Sequence, residues 1–390
     1  MAAKPARRLP ALARLRSGSD PDRRRRPRLL LVTPDFPPAR GGIQAVADRL
    51  ARGVRAFDTV VVAPDEPGAA EHDAASGLDI RRVGGGRALR GGRQALLSLA
   101  ALRAAREVRP DVTLSAHIVT SPAGSAIRRA TGAPTAQYFY AEEICAKPRL
   151  AAFAAREADL SIAISEYTVG LVRATGAKPR SLSVVPPGAD VPAESAPLAA
   201  ERPTVVTVAR MEERYKGHDT MVRAFALVLA QVPDAQWVVI GEGSLRPAIE
   251  ALARSYGVAH AVRFLGAIGD EERNEWLRRA DLLAMPSRLP AGAFAGEGFG
   301  IAFLEAGAYG KPVVAGNVGG ALDAVRDGET GLLVDPLDLL AVAGAIVTLL
   351  RNRDLALRLG AAGRVWAEQH AWPLIAGRVQ MLLLDLLDGR

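Results

Sequence analysis

The chain has 390 residues, of which 49% are hydrophobic, and this is enough for two globular domains of ordinary size. Its single cysteine, Cys145, excludes an internal disulfide and is typical of a protein from a reducing compartment. The net charge of +8 would suit a nucleic-acid partner, but residues 1–28 hold ten Lys and Arg against two acids. The rest of the chain is therefore electrically balanced, and we expect no nucleic-acid partner.

Residues 1–27 form a basic leader with too few apolar residues for a signal peptide or a membrane span. Three interpretations stay open: a disordered tail, upstream sequence read from an early start codon, or a tether to anionic lipid. A tether would gain about 1 kcal/mol per basic residue near the surface. Later apolar runs are also too short to span a bilayer. We therefore predict a cytoplasmic protein, peripheral on the inner face of the plasma membrane if the leader is a tether.

Apolar runs and helical spacing alternate between residues 28 and 190. The predicted strands cover 28–33, 59–63, 80–83, 112–116, 134–140, 158–164 and 183–185. The predicted helices cover 43–54, 94–108, 123–130 and 165–174. His117 stands at the carboxyl end of the fourth strand, and Glu142 and Glu143 after the fifth predict a polar turn that either meets a substrate or stays solvated.

The first strand-to-helix connection contains the glycine pair Gly41 and Gly42. Glycines at such a turn let the backbone approach a ligand closely, and free N–H groups at the helix start favour phosphate. The pair is not a G-x-G-x-x-G motif, so a plain turn without a ligand is the alternative.

Residues 191–203 contain three prolines among Ala, Glu and Ser, and we predict a linker there. The alternation then restarts. The predicted strands cover 205–209, 237–240, 262–265, 282–285, 312–315 and 332–334, and the predicted helices include 218–230 and 271–279, with further helices to the C-terminus.

Two successive runs of this kind predict an α/β fold with two doubly wound, Rossmann-like parallel sheets. Ligands in such sheets bind beyond the carboxyl ends of the strands, so the two sheets should face each other across a cleft.

Two carboxylates bracket the segment from Glu297 to Glu305, in which a glycine-rich loop opens an apolar helix. Such a helix start suits phosphate. An acid just before it repels phosphate, so Glu297 should meet hydroxyls or a cation. We therefore predict a sugar-nucleotide site, with Glu297 on the sugar, the following N–H groups on phosphate, and Glu305 on the ribose.

The positive charge that this site needs follows the first strand of the second run. Arg210 leaves the strand end and Lys216 precedes a helix. Two cations there would neutralise the charge that develops on a departing diphosphate. An ordinary surface Arg and Lys is the alternative.

The order and separation of these motifs resemble the retaining family-four glycosyltransferases of the GT-B fold over roughly residues 28–385. The resemblance rests on Arg210 with Lys216-Gly217 and on Glu297-Gly298-Phe299-Gly300 through Glu305-Ala306. Further motifs reinforce it: Gly41-Gly42, Ser165-Glu166-Tyr167-Thr168, Val185 to Asp190, Gly241-Glu242-Gly243 and Gly319-Gly320.

The resemblance implies an N-terminal acceptor-side domain (28–190), a C-terminal donor-binding domain (204–370) and a final helix (371–390) that packs back towards the N-terminal domain. It implies that Arg210 and Lys216 hold the donor diphosphate, that Glu297 touches the transferred sugar, and that His117 lies near sugar and acceptor. The implied donor-binding set also includes Gly41, Gly42, Gly241, Gly243, Phe299, Gly300, Ile301 and Glu305. Such enzymes need no metal or other cofactor, because Arg and Lys do the metal's work.

Three positions depart from the family pattern. Tyr140 stands where a histidine is common, Pro187 where an asparagine is common, and Asp323 where a glutamate is usual. None of them touches the expected chemistry, but the first bears on acceptor specificity.

The motifs are most similar to those of enzymes that move mannose from GDP-mannose to lipid acceptors. We expect a nucleotide-sugar donor, GDP-mannose before a UDP-sugar, and a hydroxyl on a lipid or glycan as acceptor. A UDP-sugar transferase of the same fold, an epimerase or phosphorylase, and a non-catalytic sugar-nucleotide-binding or membrane-scaffold protein are the alternatives. Arg210, Lys216, Glu297 and Glu305 together favour an enzyme.

Overall fold

The computed structural model describes residues 25–84, 90–193, 196, 198, 200–289 and 296–389. The predictions for the leader up to residue 24, for parts of the 191–203 linker and for the loop at 290–295 lie outside these residues. Within them the chain forms two parallel sheets with helices on both faces. The predicted fold class is therefore confirmed.

The first sheet has seven parallel strands in the order β3-β2-β1-β4-β5-β6-β7. Its strands are β1 (Arg28–Val32), β2 (Asp58–Pro64), β3 (Asp79–Val83), β4 (Val112–Ser115), β5 (Thr135–Phe139), β6 (Leu160–Ala163) and β7 (Leu182–Val184). The central strands are buried on both faces, as their continuous apolar sequence predicts. Strand order reverses between β1 and β4, so the edge beyond these two strands is where a ligand is expected.

The described helices around this sheet are α1 (Gly42–Gly53), α2 (Ala69–Ser76), α3 (Arg90–Val108), α4 (Ser121–Thr131), α5 (Ala141–Ala146), α6 (Pro148–Glu157) and α7 (Glu166–Ala174). Helices α2 and α6 were not predicted, because they are alanine-rich and carry few large apolar side chains to mark a period. The predicted polar turn at Glu142 and Glu143 is wrong, because both residues belong to helix α5.

The second sheet has six parallel strands in the order β10-β9-β8-β11-β12-β13. They are β8 (Thr204–Val208), β9 (Gln236–Ile240), β10 (Val262–Gly266), β11 (Leu282–Met285), β12 (Val313–Gly316) and β13 (Gly331–Val334). The helices are α8 (His218–Leu229), α9 (Arg246–Ser255), α10 (Asp270–Arg279), α11 (Ile301–Ala308), α12 (Ala321–Ala324), α13 (Leu339–Arg351), α14 (Arg353–Gln369) and α15 (Trp372–Asp388).

The last helix, α15, leaves the second sheet and lies against α1 of the first. Ala376 contacts Gly53 of α1, and the Gln380 side chain accepts a hydrogen bond from the backbone N–H of Ala56 at 2.7 Å. Where the chain crosses, Ala189 and Ala371 form a parallel bridge, with the N–H of Ala189 donating to the His370 carbonyl at 3.0 Å. The two connections between the sheets, one at Ala189 and one at Ala371, are therefore paired with each other, and we call this pair the paired hinge.

None of the described helices combines the length and the apolar content that crossing a bilayer requires.

Helices α11 and α14 pack closely against each other through glycine residues. A Cβ at Gly307 would lie 2.7 Å from the carbonyl oxygen of Gly363, and one at Gly360 would overlap the carbonyl of Gly310. Backbones this close leave no room for a methyl group. The position of α11, which carries Glu305, is therefore set by α14.

We expect Gly360→Ala to lower the free energy of unfolding by about 1–3 kcal/mol, because the new methyl group forces the two segments apart. The matched control is Gly377→Ala in α15, where a Cβ meets nothing within 4 Å. Alanine there should stabilise by up to about 1 kcal/mol. Urea titrations of both variants measure the difference, and equal midpoints would contradict the close packing.

Candidate active site

The carboxyl ends of the two sheets face each other across a cleft. The Arg40 guanidinium donates to the Ile268 carbonyl at 2.7 Å, and the Ser165 hydroxyl donates to the Gly298 carbonyl at 2.7 Å. Gly42, the first residue of α1, lies opposite Ile301, the first residue of α11: a Cβ on Gly42 would be 3.5 Å from the Ile301 methyl group. The first-turn N–H groups of two helices thus open into one space, which favours an anion.

Gly300 permits the sharp entry into α11. Its φ of +94° lies in the left-handed region, and a Cβ would overlap the Phe303 ring. Phe299 is buried, so this residue offers the cleft its backbone and not its side chain. The predicted N–H groups of Phe299, Gly300 and Ile301 are therefore brought together at the helix start, although their contact with phosphate stays a prediction.

Lys216 and Glu297 form a buried ion pair on the C-terminal side of the cleft. The Lys216 Nζ lies 2.6 Å from the Glu297 Oε2, and the two side chains are 15% and 10% exposed. Burial lowers the pKa of Lys216, but the Glu297 carboxylate outweighs it and the pKa is raised. Of the two expected partners of Glu297, hydroxyls or a cation, the structure shows the cation.

Lys216 is held in place by its own turn. Residues 214–216 form one turn of 3-10 helix that ends at Gly217, with a φ of +79°. A Cβ on Gly217 would overlap the carbonyl of Pro286. The Arg288 backbone N–H donates to the Tyr215 carbonyl at 2.8 Å, and the Arg288 guanidinium forms a bidentate pair with Asp219 at 2.8 and 2.9 Å.

Arg210 leaves β8 as predicted and is far more exposed than Lys216. Its Nη2 lies 3.0 Å from Glu213 Oε1, and its side chain is 59% exposed. Gly241 and Gly243 pack on the backbone of this segment, since a Cβ on either would overlap the backbone at Ala209 or Met211. The two glycines therefore position Arg210, and their predicted contact with a ligand stays a prediction.

Glu305 points from the first turns of α11 towards Arg273 of α10, whose Nη2 lies 3.5 Å away. Burial raises the pKa of Glu305, and Arg273 opposes that effect. Arg273 lies on the strongly charged helix α10, where no local pattern distinguishes it from its neighbours.

His117 follows β4 and lies on the N-terminal wall of the cleft. Its Nδ1 is 2.8 Å from the Glu143 carboxylate of α5, whose side chain is 4% exposed. Burial lowers the pKa of His117, but Glu143 and Asp35 outweigh it and the pKa is raised. Glu143 is thus buried, so the expectation that it lies in a solvated turn is wrong.

Asp35 is a further acid on this wall that the sequence analysis did not single out. Burial raises its pKa, while His117 and Arg210 lower it. The Gln44 amide donates to its Oδ1 at 3.2 Å. Asp35 stands in the loop between β1 and α1, where only its place after a strand end could have marked it.

His218 begins α8, directly after Gly217, and it is also buried. Burial, followed by the neighbouring Lys216 charge, lowers its pKa to about 4. It is therefore neutral at pH 7.

Asp323 joins the two halves of the cleft. Its carboxylate accepts hydrogen bonds from the backbone N–H groups of Glu166 at 3.0 Å and Tyr167 at 3.5 Å, the first residues of α7. A carboxylate at a helix start is stabilising. The N-terminal α7 is thus held by an acid from the C-terminal sheet.

In the described parts of the chain, no group of three or more His, Cys, Asp or Glu side chains is arranged to hold a metal ion.

We expect Lys216→Ala to lower the free energy of unfolding by about 3–5 kcal/mol, because it leaves the buried Glu297 charge without a partner. Arg210→Ala, which breaks an exposed pair, should change it by less than about 1 kcal/mol. Denaturant unfolding of both variants checks the contrast. Similar losses in the two variants would show that the Lys216–Glu297 pair is not a buried interaction.

Replacing Asp323 with alanine should shift the protein towards a more open arrangement, because two N–H groups of α7 lose their acceptor across the cleft. Small-angle X-ray scattering should report a larger radius of gyration than for the parental chain. Asp327→Ala, in the same sheet but without a contact across the cleft, is the control. An unchanged radius for Asp323→Ala would remove this contact from the forces that hold the cleft closed.

Relatives of known name extend over almost the whole chain. A GDP-mannose-dependent alpha-(1-6)-phosphatidylinositol monomannoside mannosyltransferase of Mycobacterium tuberculosis is 35% identical over 93% of this chain and 98% of the relative. The enzyme of the same name from Mycolicibacterium smegmatis is 33% identical over the same shares. Anabaena HepE, solved with UDP and glucose, is 19% identical and superposes with a TM-score of 0.78 over 92% of this chain and 99% of that one. At that identity it shows the shared GT-B fold alone.

Two family models match adjoining parts of the chain. The model for Glycosyltransferase Family 4 matches residues 40–192, and that for Glycosyl transferases group 1 matches residues 192–366. Together they cover most of the chain and both of its sheets. The protein is therefore a glycosyltransferase and belongs to this GT-B family.

Proposed function

We propose that this protein transfers mannose from GDP-mannose to a hydroxyl group of a phosphatidylinositol mannoside, with retention at the anomeric carbon. The observation that carries the proposal is the 33–35% identity to enzymes of that name over 93% of the chain. In this proposal residues 28–190 bind the acceptor, residues 204–370 bind the donor, and residues 191–203 link them.

The donor diphosphate is assigned to Arg210 and Lys216. Each already has a carboxylate partner, Glu213 and Glu297 respectively. An arriving diphosphate exchanges with these carboxylates, so the cations are neutralised before and after binding. Glu297, released from Lys216, is then free to accept hydrogen bonds from the hydroxyls of the transferred sugar.

The remaining donor contacts follow from the first residues of α11. The N–H groups of Phe299, Gly300 and Ile301 are assigned to phosphate and sugar oxygens, together with Gly42 across the cleft. Glu305 is assigned to the ribose hydroxyls, held in place by Arg273. Gly241 and Gly243 support these contacts by allowing close backbone packing, and Gly41, where a Cβ would overlap the Gln44 side chain, is assigned to the donor with them.

The chemistry assigned to the cleft is a front-face displacement. The bond between the anomeric carbon and the phosphate oxygen breaks, and the acceptor oxygen forms its bond on the same face. The acceptor proton passes to the departing phosphate, so GDP leaves with that proton. Arg210 and Lys216 stabilise the developing phosphate charge, and the closed cleft keeps water from the sugar.

The acceptor is a membrane lipid in this proposal, so the protein works at a membrane surface. The basic leader is the part of the chain that we assign to peripheral contact with anionic lipid, on the cytoplasmic side. Its first 24 residues lie outside the described part of the chain, so this assignment rests on the charge of the leader.

The test is to incubate the protein with GDP-mannose or UDP-glucose and a phosphatidylinositol mannoside, and to measure released nucleotide and mannosylated lipid by mass spectrometry. We expect product with GDP-mannose and an α-anomeric proton signal in the new linkage. Turnover with UDP-glucose but not with GDP-mannose would overturn the assignment of the donor. A β linkage in the product would overturn retention.

Arg210→Ala and Lys216→Ala should each lower turnover by about a hundredfold or more, because each removes charge stabilisation from the leaving diphosphate. Arg254→Ala, an exposed arginine on α9 of the same domain, is the matched control and should keep parental turnover. Parental turnover in both cleft variants would refute the assigned roles.

A further inference from the structure

The Glu143 carboxylate is buried at the meeting point of three backbone segments. Its Oε1 accepts from the Tyr140 N–H at 3.0 Å, and its Oε2 accepts from the Ile118 N–H at 3.0 Å. The same Oε2 lies 2.8 Å from the Nδ1 of His117. The side chain thus ties the start of α5 to the segment that follows β4.

The Glu143 carboxylate faces two backbone N–H groups and the Nδ1 of His117, which can also carry a hydrogen. A carboxylate is acceptor-only, whereas a glutamine amide would turn an NH2 group towards one of these donors. The arrangement therefore requires a charged carboxylate and not merely a polar side chain of that length.

The contact also decides which nitrogen of His117 carries a proton. The backbone N–H of Val119 lies 3.1 Å from the same Nδ1 and would need it to be an unprotonated acceptor. A charge-assisted bond to a carboxylate is the stronger of the two. Nδ1 therefore carries its proton towards Glu143, and Nε2 is the nitrogen left for a substrate.

We propose that Glu143 is a positioning residue for His117: it fixes the Nδ1–H form of the ring and leaves Nε2 to contact the sugar or the acceptor. This inference rests on the proposed function of the cleft and deepens it. Glu143 itself does not touch substrate in this assignment.

Other charged groups also face His117, and they come from each side of the wall. Asp35 follows β1 and favours the protonated ring, while Lys147 at the end of α5 opposes it. Arg210 from the other domain acts on Asp35. Glu143 is the one of these that the structure shows in direct contact with the ring, so removing its charge should have the largest effect.

The first experiment is NMR of the full-length protein with isotope-labelled histidine, in which His117 is assigned among the five histidines by its loss in His117→Ala. The nitrogen shifts of the parental protein should show the Nδ1–H tautomer at high pH. An Nε2–H tautomer in the parental protein would overturn the proposal without any variant.

The variants then test the charge. Glu143→Gln should lower the pKa of His117 by about one unit or more, because the carboxylate that stabilises the imidazolium is gone. Glu143→Asp, which keeps a carboxylate, should keep the raised pKa at least in part. Glu71→Gln in the first turn of α2, an exposed glutamate of the same domain, is the matched control. An unchanged pKa and tautomer in folded Glu143→Gln would contradict the inference.

Turnover provides the second readout. Glu143→Gln should lower kcat about tenfold or more, and the limb of the pH–rate profile that follows His117 should shift with the NMR pKa. If the NMR result appears and turnover is unaffected, Glu143 has no positioning role in catalysis. If the parental protein shows the tautomer but transfers no mannose, the proposed function fails and the Glu143–His117 contact stands.

Discussion

The buried pair of Lys216 and Glu297 is the interaction on which the cleft depends. The two residues come from different loops of the C-terminal sheet, 81 positions apart, and their contact brings the turn after β8 against the loop before α11. Neither charge would be stable alone in so enclosed a place, since desolvation of a lone ion costs several kcal/mol. The pair therefore does two things at once: it closes the donor half of the site around itself, and it holds a cation ready for an anion that can replace the carboxylate.

Close backbone packing fixes the parts that surround this pair. Gly217 lies against Pro286, Gly320 lies against the 298–299 backbone, and the glycines between α11 and α14 leave no gap for a side chain. Close-packed backbone has little freedom to adjust. The first turn of α11 thus keeps its direction without help from a ligand. Its N–H groups can therefore stabilise charge without rearranging during the reaction.

The fold, and the places of the proposed donor-side residues in it, could be predicted because their signals are local. Continuous apolar strands gave the two sheets, and Arg210, Lys216, Glu297 and Glu305 follow strand ends or open helices. The contacts of Glu143, Asp323 and Arg273 could not be predicted this way, because they depend on which segments meet in space. Nothing in the residues around Glu143 distinguishes it from Glu142, and only the fold places one against His117 and the other in solvent.

The paired hinge restricts how the two halves can move. Two separate crossings would allow the domains to twist and bend independently, but here Ala189 donates to the His370 carbonyl and accepts from the Trp372 N–H, which couples the two crossings. Two hydrogen-bonded crossing segments permit one rotation of the domains easily and resist rotation about the other axes. Beside this hinge, the centroid of the Phe299 ring lies 6.4 Å from the centroid of the His370 ring. The segment from Glu297 to Ile301 therefore lies next to the paired hinge, where a bound ligand would act on the angle between the two domains.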